Sequence, residues 1–149
     1  MLKNFFITFL FIFIINSANA KQIEIVSDKL EIIRAKNISI FSGNVYAIED
    51  NLEIWSEKLI VTSSEDESEV KEINANGNVK VVREELSING DKARYDPIQN
   101  KLSVFGKVEV VQNQSIILGD KIIVDLENSS SIMSSKSNKR VEVLIYNKK

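Results

Sequence analysis

The chain has 149 residues and a mass of 16.9 kDa, room for one ordinary domain. It carries 19 Lys+Arg against 21 Asp+Glu, a formal charge of −2, with no cysteine and no histidine. These figures exclude a disulfide framework, a thiolate metal site, a cysteine nucleophile and a serine–histidine triad. They also give no basic footprint for nucleic acid.

Residues 1–20 read as an address. Lys3 supplies a positive start, residues 5–15 form an apolar run, and Ala18-Asn19-Ala20 makes a small-residue cleavage site. The run is about half the length of a membrane span, which needs about 20 apolar residues. The expectation is a cleaved signal peptide over 1–20 and one β domain over 21–149. An uncleaved anchor is the rival. Cleavage removes five of the seven phenylalanines and Lys3, leaving 18 basic against 21 acidic residues, a charge of −3.

From there alternation dominates. Ile23 and Ile25, Ile38 and Ile40, Leu52 and Ile54, Leu86 and Ile88, Leu102 and Val104, Val108 and Val110, and Val141 and Val143 each bracket a polar residue. Period-two patterning in β-branched residues predicts strands with one face buried. Turn signals recur at Gly43-Asn44, Asp50-Asn51, Gly77-Asn78, Asn89-Gly90, Asp96-Pro97, Asn113 and Asn128. The expected class is all-β: a sandwich, jelly roll or solenoid. The acidic stretch 63–69 predicts a solvated hairpin loop, since it lacks the glycine and spacing of a calcium loop. Serine-rich residues 128–138 predict a flexible connection.

One pattern repeats. Gly43-Asn44-Val45, Gly77-Asn78-Val79 and Gly106-Lys107-Val108 are each followed, fifteen positions after the glycine, by Lys58, Lys92 and Lys121. Each lysine follows an acid, in Ser56-Glu57-Lys58, Gly90-Asp91-Lys92 and Gly119-Asp120-Lys121, and a half-copy opens as Ser27-Asp28-Lys29. Such a period predicts stacked units with equivalent residues in columns. The column in step with the glycines holds Phe41, Val45, Ala47, Ala75, Val79, Val81, Val104, Val108 and Val110, the candidate interior. Mid-strand glycines predict bulges or sharp bends.

These motifs, with Phe41-Ser42 before Gly43, Val70-Lys71-Glu72-Ile73, Tyr95-Asp96 and Lys139-Arg140-Val141, resemble the LptA/OstA-like family of lipopolysaccharide-transport proteins over about residues 23–146. The resemblance implies a folded-over antiparallel sheet, β-jelly-roll-like (OstA-like), open at both ends and stacking end to end. It implies a periplasmic protein that bridges inner and outer membranes and carries lipopolysaccharide by its lipid A acyl chains. Its implied partners are an inner-membrane complex with an LptC-type anchor, an LptD-type outer-membrane translocon and further copies of itself. The positions of Ile23, Ile25, Val82 and Tyr95 match family positions that meet lipid. Parity adds Phe41, Val45, Val79, Val81, Val104 and Val108 as lipid-facing candidates. Val81 and Val82 cannot both point inward on a regular strand.

An unpaired edge can add a neighbour's strand. Ile23, Glu24, Ile25 and Val26 form one expected docking edge, and Val141, Glu142, Val143, Leu144, Ile145 and Tyr146 the other. Trp55 is expected at the groove mouth or as a cap on the core. Lys136, Lys139, Arg140, Lys148 and Lys149 are expected to be a solvated charged end or to meet lipid phosphates. No catalytic set, metal site or cofactor is expected. The acids Asp28, Glu57, Asp91 and Asp120 recur at equivalent positions, which favours a structural role over a glycosidase pair. The alternatives are a ligand-free β-solenoid scaffold and a membrane-anchored member of the same transport pathway.

Overall fold

The computed structural model describes residues 21–148. The expected leader lies outside the described residues. Ten strands follow in order: β1 Ile23–Val26, β2 Lys29–Ile33, β3 Ile38–Glu49, β4 Leu52–Ser63, β5 Val70–Arg83, β6 Leu86–Asp96, β7 Lys101–Gln112, β8 Ser115–Asp125, β9 Ser130–Ser134 and β10 Glu142–Ile145. They make one antiparallel sheet in which β3 to β8 pair in sequence order. Each edge is divided. β1 pairs residues 46–49 of β3 and β2 pairs residues 38–42. At the other side β10 pairs residues 115–118 of β8 and β9 pairs residues 121–125. The all-β expectation holds.

The division has one cause, a bend that crosses the whole sheet. Relative to both neighbours, β3 carries an extra residue between Ser42 and Val45, β5 between Asn76 and Val79, and β7 between Phe105 and Val108. Each bulge holds two successive left-handed residues: Gly43 (φ 82°) with Asn44 (46°), Gly77 (84°) with Asn78 (45°), and Gly106 (80°) with Lys107 (46°). Glycine takes this conformation without strain and asparagine takes it more readily than most. The intervening strands respond by changing parity. Buried residues on β4 run Leu52, Ile54 and Ser56, then Leu59 and Val61, so Glu57 and Lys58 both turn outward.

The repeated acids occupy this bend. Asp28, Glu57 and Asp91 sit over Gly43, Gly77 and Gly106, and a Cβ on Gly43 would lie 2.5 Å from Asp28 Oδ2. Asn44 Nδ2 donates to Asp28 Oδ2 at 2.8 Å, and Asn78 Nδ2 to Glu57 Oε1 at 2.7 Å. Asp120 accepts the backbone N–H of Lys136 at 2.8 Å, which closes the line between β9 and β10. The repeat is therefore a hairpin with one bulged strand and one strand whose acid packs on the next bulge.

The bend divides the sheet into two wings that face each other. One wing holds β1, residues 45–56, 79–89 and 108–118, and β10. The other holds β2, residues 38–42, 58–63, 70–76, 92–96, 101–105 and 121–125, and β9. A single apolar cluster fills the space between them, from Val45 and Leu52 to Val124 and Leu126. The acidic stretch is the turn between β4 and β5, as expected. The serine-rich stretch is not wholly a connection, because it contains β9. There Met133 packs against the core while Ile132 is exposed. Serine on the solvent face of an edge strand hides the alternation.

Candidate functional site

The trough between the wings is packed along its middle. Val45, Val79, Val81, Val104 and Val108 are at most 2% exposed, and Leu59, Ile88 and Leu102 are as deeply buried. Tyr95 lies among them. Ile23, Ile25 and Phe41 pack against this core but remain partly open, at the side formed by β1 to β3. Val82 is a correction. The stretch from Val79 to Arg83 is a regular strand, so Val79 and Val81 point inward and Val82 outward, between Glu53 and Ser87. Sequence reasoning also missed Leu59, Ile117, Ile122 and Met133 as interior residues. The parity change on β4 and β8 puts Leu59 and Ile122 out of step with the column read from the glycines, and Met133 sits in the serine-rich strand β9.

Toward β8 the wings part. A cavity of about 670 Å³ lies there, within the size range of small-ligand pockets. Leu86, Val110, Ile117 and Val143 line it from one wing, and Ile122, Val124, Leu126 and Met133 from the other. Arg83, Glu84, Glu85, Gln112 and the serines at 129–131 line it as well, so about half of its wall is polar. The apolar half suits a hydrocarbon chain, which gains about 0.8 kcal/mol per buried CH₂ without directional bonds.

The rims of the two wings meet in polar contacts. Tyr95 Oη donates to Glu49 Oε1 at 3.0 Å, and Lys21 Nζ lies 3.5 Å from the same oxygen. Burial, then the charge of Glu49 and the hydrogen bond to it, push the Tyr95 hydroxyl above its ordinary pKa. Arg83 Nη1 donates to the Leu126 carbonyl at 2.8 Å, and Lys21 Nζ to Asn100 Oδ1 at 2.9 Å.

Trp55 is neither at the mouth nor on the core. It lies on the outer face, its ring 5.2 Å from that of Tyr46 and 5.6 Å from Lys80 Nζ. Tyr46 donates to Glu53 at 2.9 Å, and this bond raises its pKa. Lys139 and Arg140 line a second hollow with Lys107, but Glu109, Asp120 and Glu142 interleave with them. Lys136 contributes its backbone N–H there. Lys148 is exposed, and Lys149 lies outside the described residues. Among the described residues no group of three acidic side chains is placed to hold a metal ion, and no helix is long and apolar enough to cross a membrane.

Both sheet edges carry exposed apolar side chains: Val26, Leu30 and Ile32 on β1 and β2, and Ile132, Val143, Leu144 and Ile145 on β9 and β10. Among the described residues β1 and β2 pair only with β3, and β9 and β10 only with β8. The split edges thus include β2 and β9, which the expected docking segments omit. Val141 and Tyr146 flank β10 and are exposed as well.

An antiparallel sheet folded over an apolar trough and left open at both sides defines a jelly-roll-like class. Residues 24–130 match the family described as LptA/(LptD N-terminal domain) LPS transport protein, and the chain belongs to that family. The fold is shared with a crystal structure of LptH, described as the LptA-homologous periplasmic component of the lipopolysaccharide transport device from Pseudomonas aeruginosa. The TM-score is 0.76 at 13% identity, covering 85% of this chain and 96% of that one. No curated protein matches the chain by sequence. Membership assigns the chain to lipopolysaccharide transport and makes it a transport protein, not an enzyme.

Proposed function

We propose that the chain works in the periplasm as a carrier that holds the acyl chains of lipopolysaccharide between its wings and passes them to the next sheet in line. The observation that carries this reading is the cavity of about 670 Å³ where the wings part, with Leu86, Val110, Ile117, Ile122, Val124 and Met133 on its walls and polar side chains on the rest, beside an unpaired, apolar strand edge. Residues 1–20 serve as a cleaved leader, and the working chain starts at Lys21. Strand addition at the β1–β2 edge and the β9–β10 edge aligns successive troughs. Such a row connects an LptC-type anchor at the inner membrane to an LptD-type translocon at the outer membrane. Similar apolar sites in sequence let a chain of CH₂ groups slide without breaking directional bonds.

Photocrosslinkers at Ile117, Met133, Ile23 and Tyr95 test the reading in cells. Lipopolysaccharide adducts are expected, strongest at Ile117 and Met133. No adduct at any of the four refutes lipid carriage. N-terminal sequencing of the exported protein separates the soluble carrier from a membrane-anchored member: a start at Lys21 supports the carrier. The tightly packed middle, with Leu59, Ile88 and Val104 fully buried, favours a second reading, a scaffold without ligand. The same crosslinks decide between the two.

A further inference from the structure

Three polar contacts join the free rims of the wings, and they lie together. Lys21, Glu49, Arg83, Tyr95, Asn100 and Leu126 line one hollow of about 320 Å³ at the mouth of the trough. Glu49–Tyr95 joins the end of β3 to β6, Arg83–Leu126 joins the end of β5 to the end of β8, and Lys21–Asn100 joins the start of the described chain to the β6–β7 turn. Arg83 and Leu126 also line the cavity of about 670 Å³. The contacts therefore stand where the closed part of the trough gives way to the open part.

We infer that this group is a latch: it holds the mouth shut over the packed middle, and its release lets the wings separate about the bend so that an acyl chain enters sideways. The entry step rests on the lipid-carrier reading above. The latch itself does not.

Two features make the closure conditional. Glu49 is 5% exposed, yet its Oε2 has no hydrogen-bond partner among the described residues. A buried carboxylate normally has both oxygens satisfied, and the unpaired one offsets part of what the Tyr95 bond contributes. Opening the mouth returns that oxygen to water. The second feature is the pivot. The wings are joined through bulges, where the ladder is interrupted at Gly43, Gly77 and Gly106, rather than through continuous pairing. Apolar packing between wings is not directional, so a chain of CH₂ groups can replace it.

Cysteine pairs report the mouth without interference, because the chain has no native thiol. Asn51 and Glu127 are exposed and line the rim hollow from opposite wings. Spin labels at Asn51→Cys and Glu127→Cys should give a narrow distance distribution, which shifts longer and broadens in Arg83→Gln/Tyr95→Phe. An unchanged distribution overturns the latch whatever the lipid does. A cleavable bismaleimide staple between the same cysteines tests entry in the otherwise native chain. Stapling should abolish uptake of a fluorescent long-chain fatty acid, and cutting the staple should restore it. Equal uptake by stapled and free protein overturns sideways entry while leaving lipid binding intact. Failure of both to take up the probe refutes the carrier reading, and the distance measurement still decides the latch.

Discussion

Gly106 lies directly beneath the Asp91 carboxylate, with no room for a Cβ between them. The same relation joins Gly77 to Glu57 and Gly43 to Asp28. Gly106→Ala must accept both a positive φ and a collision. A strained backbone of this kind costs about 1–3 kcal/mol, so the urea midpoint should fall clearly. Asp91→Ala in the Gly106→Ala background should recover the part due to the carboxylate and leave the part due to φ and to the Cβ of residue 91, which lies 2.9 Å from the added methyl. Urea titration of the four proteins measures both parts.

The trough has a packed middle and an open side, and truncations should separate them. Leu102 is 1% exposed, and Leu102→Ala is expected to cost about 2–5 kcal/mol. Ile117 borders the cavity and is only partly buried, so Ile117→Ala should lower stability much less. Its effect should appear instead as weaker uptake of a long-chain fatty acid. Equal destabilisation by the two variants would show that the cavity wall is part of the packed core.

The edges differ, so the proposed end-to-end association would join unlike surfaces. Ile32→Lys on β2 and Val143→Lys on β10 each place a charge on one exposed edge. Each variant alone should stop growth beyond short species. An equimolar mixture retains one good edge on each partner and should yield a dimer by light scattering. Unchanged oligomers in both single variants would contradict strand addition at these edges.

Asp66, in the β4–β5 turn, accepts from Ser64 Oγ at 2.6 Å and from Ser68 Oγ at 2.7 Å, with the Ser68 N–H at 3.1 Å. The Ser64 bond first, then the Ser68 bonds, lower its pKa to about 2. A depressed carboxyl stabilises the fold above its unfolded value of about 3.9. That contribution is lost as pH falls from there through about 2. Carbon-13 titration of the Asp66 carboxyl should find the low midpoint in the native chain and a higher one in Ser64→Ala. A native midpoint near 4 would rule out the turn network in solution.

Much of the fold is legible in the residues. Alternation announced the long strands, and Gly-Asn pairs mid-strand announced the bends. Residue spacing also placed Phe41, Val45, Val79, Val104 and Val108 on one face, because the bulge on β3, β5 and β7 restores parity by adding a residue. The answering strands carry no such insertion, so their inward series slips between Ser56 and Leu59 and between Gly119 and Ile122. Nothing local marks that slip, and Leu59 and Ile122 escaped notice for this reason. The strand β9 escaped because serine at an exposed edge imitates a loop.

By itself the sequence determined an all-β chain of repeated hairpins, bent wherever a glycine must be left-handed, with an aliphatic face and neither histidine nor cysteine. These are properties of neighbours along the chain: φ preferences, period-two alternation and residue types that are absent. Only the tertiary structure decided which residues lie across the trough, because opposing wings bring together positions as distant as Glu49 and Tyr95 or Arg83 and Leu126. A buried carboxylate facing a tyrosine from another strand leaves no periodic trace, and neither does a gap where two packed faces diverge. Both arise from the angle at which the wings meet.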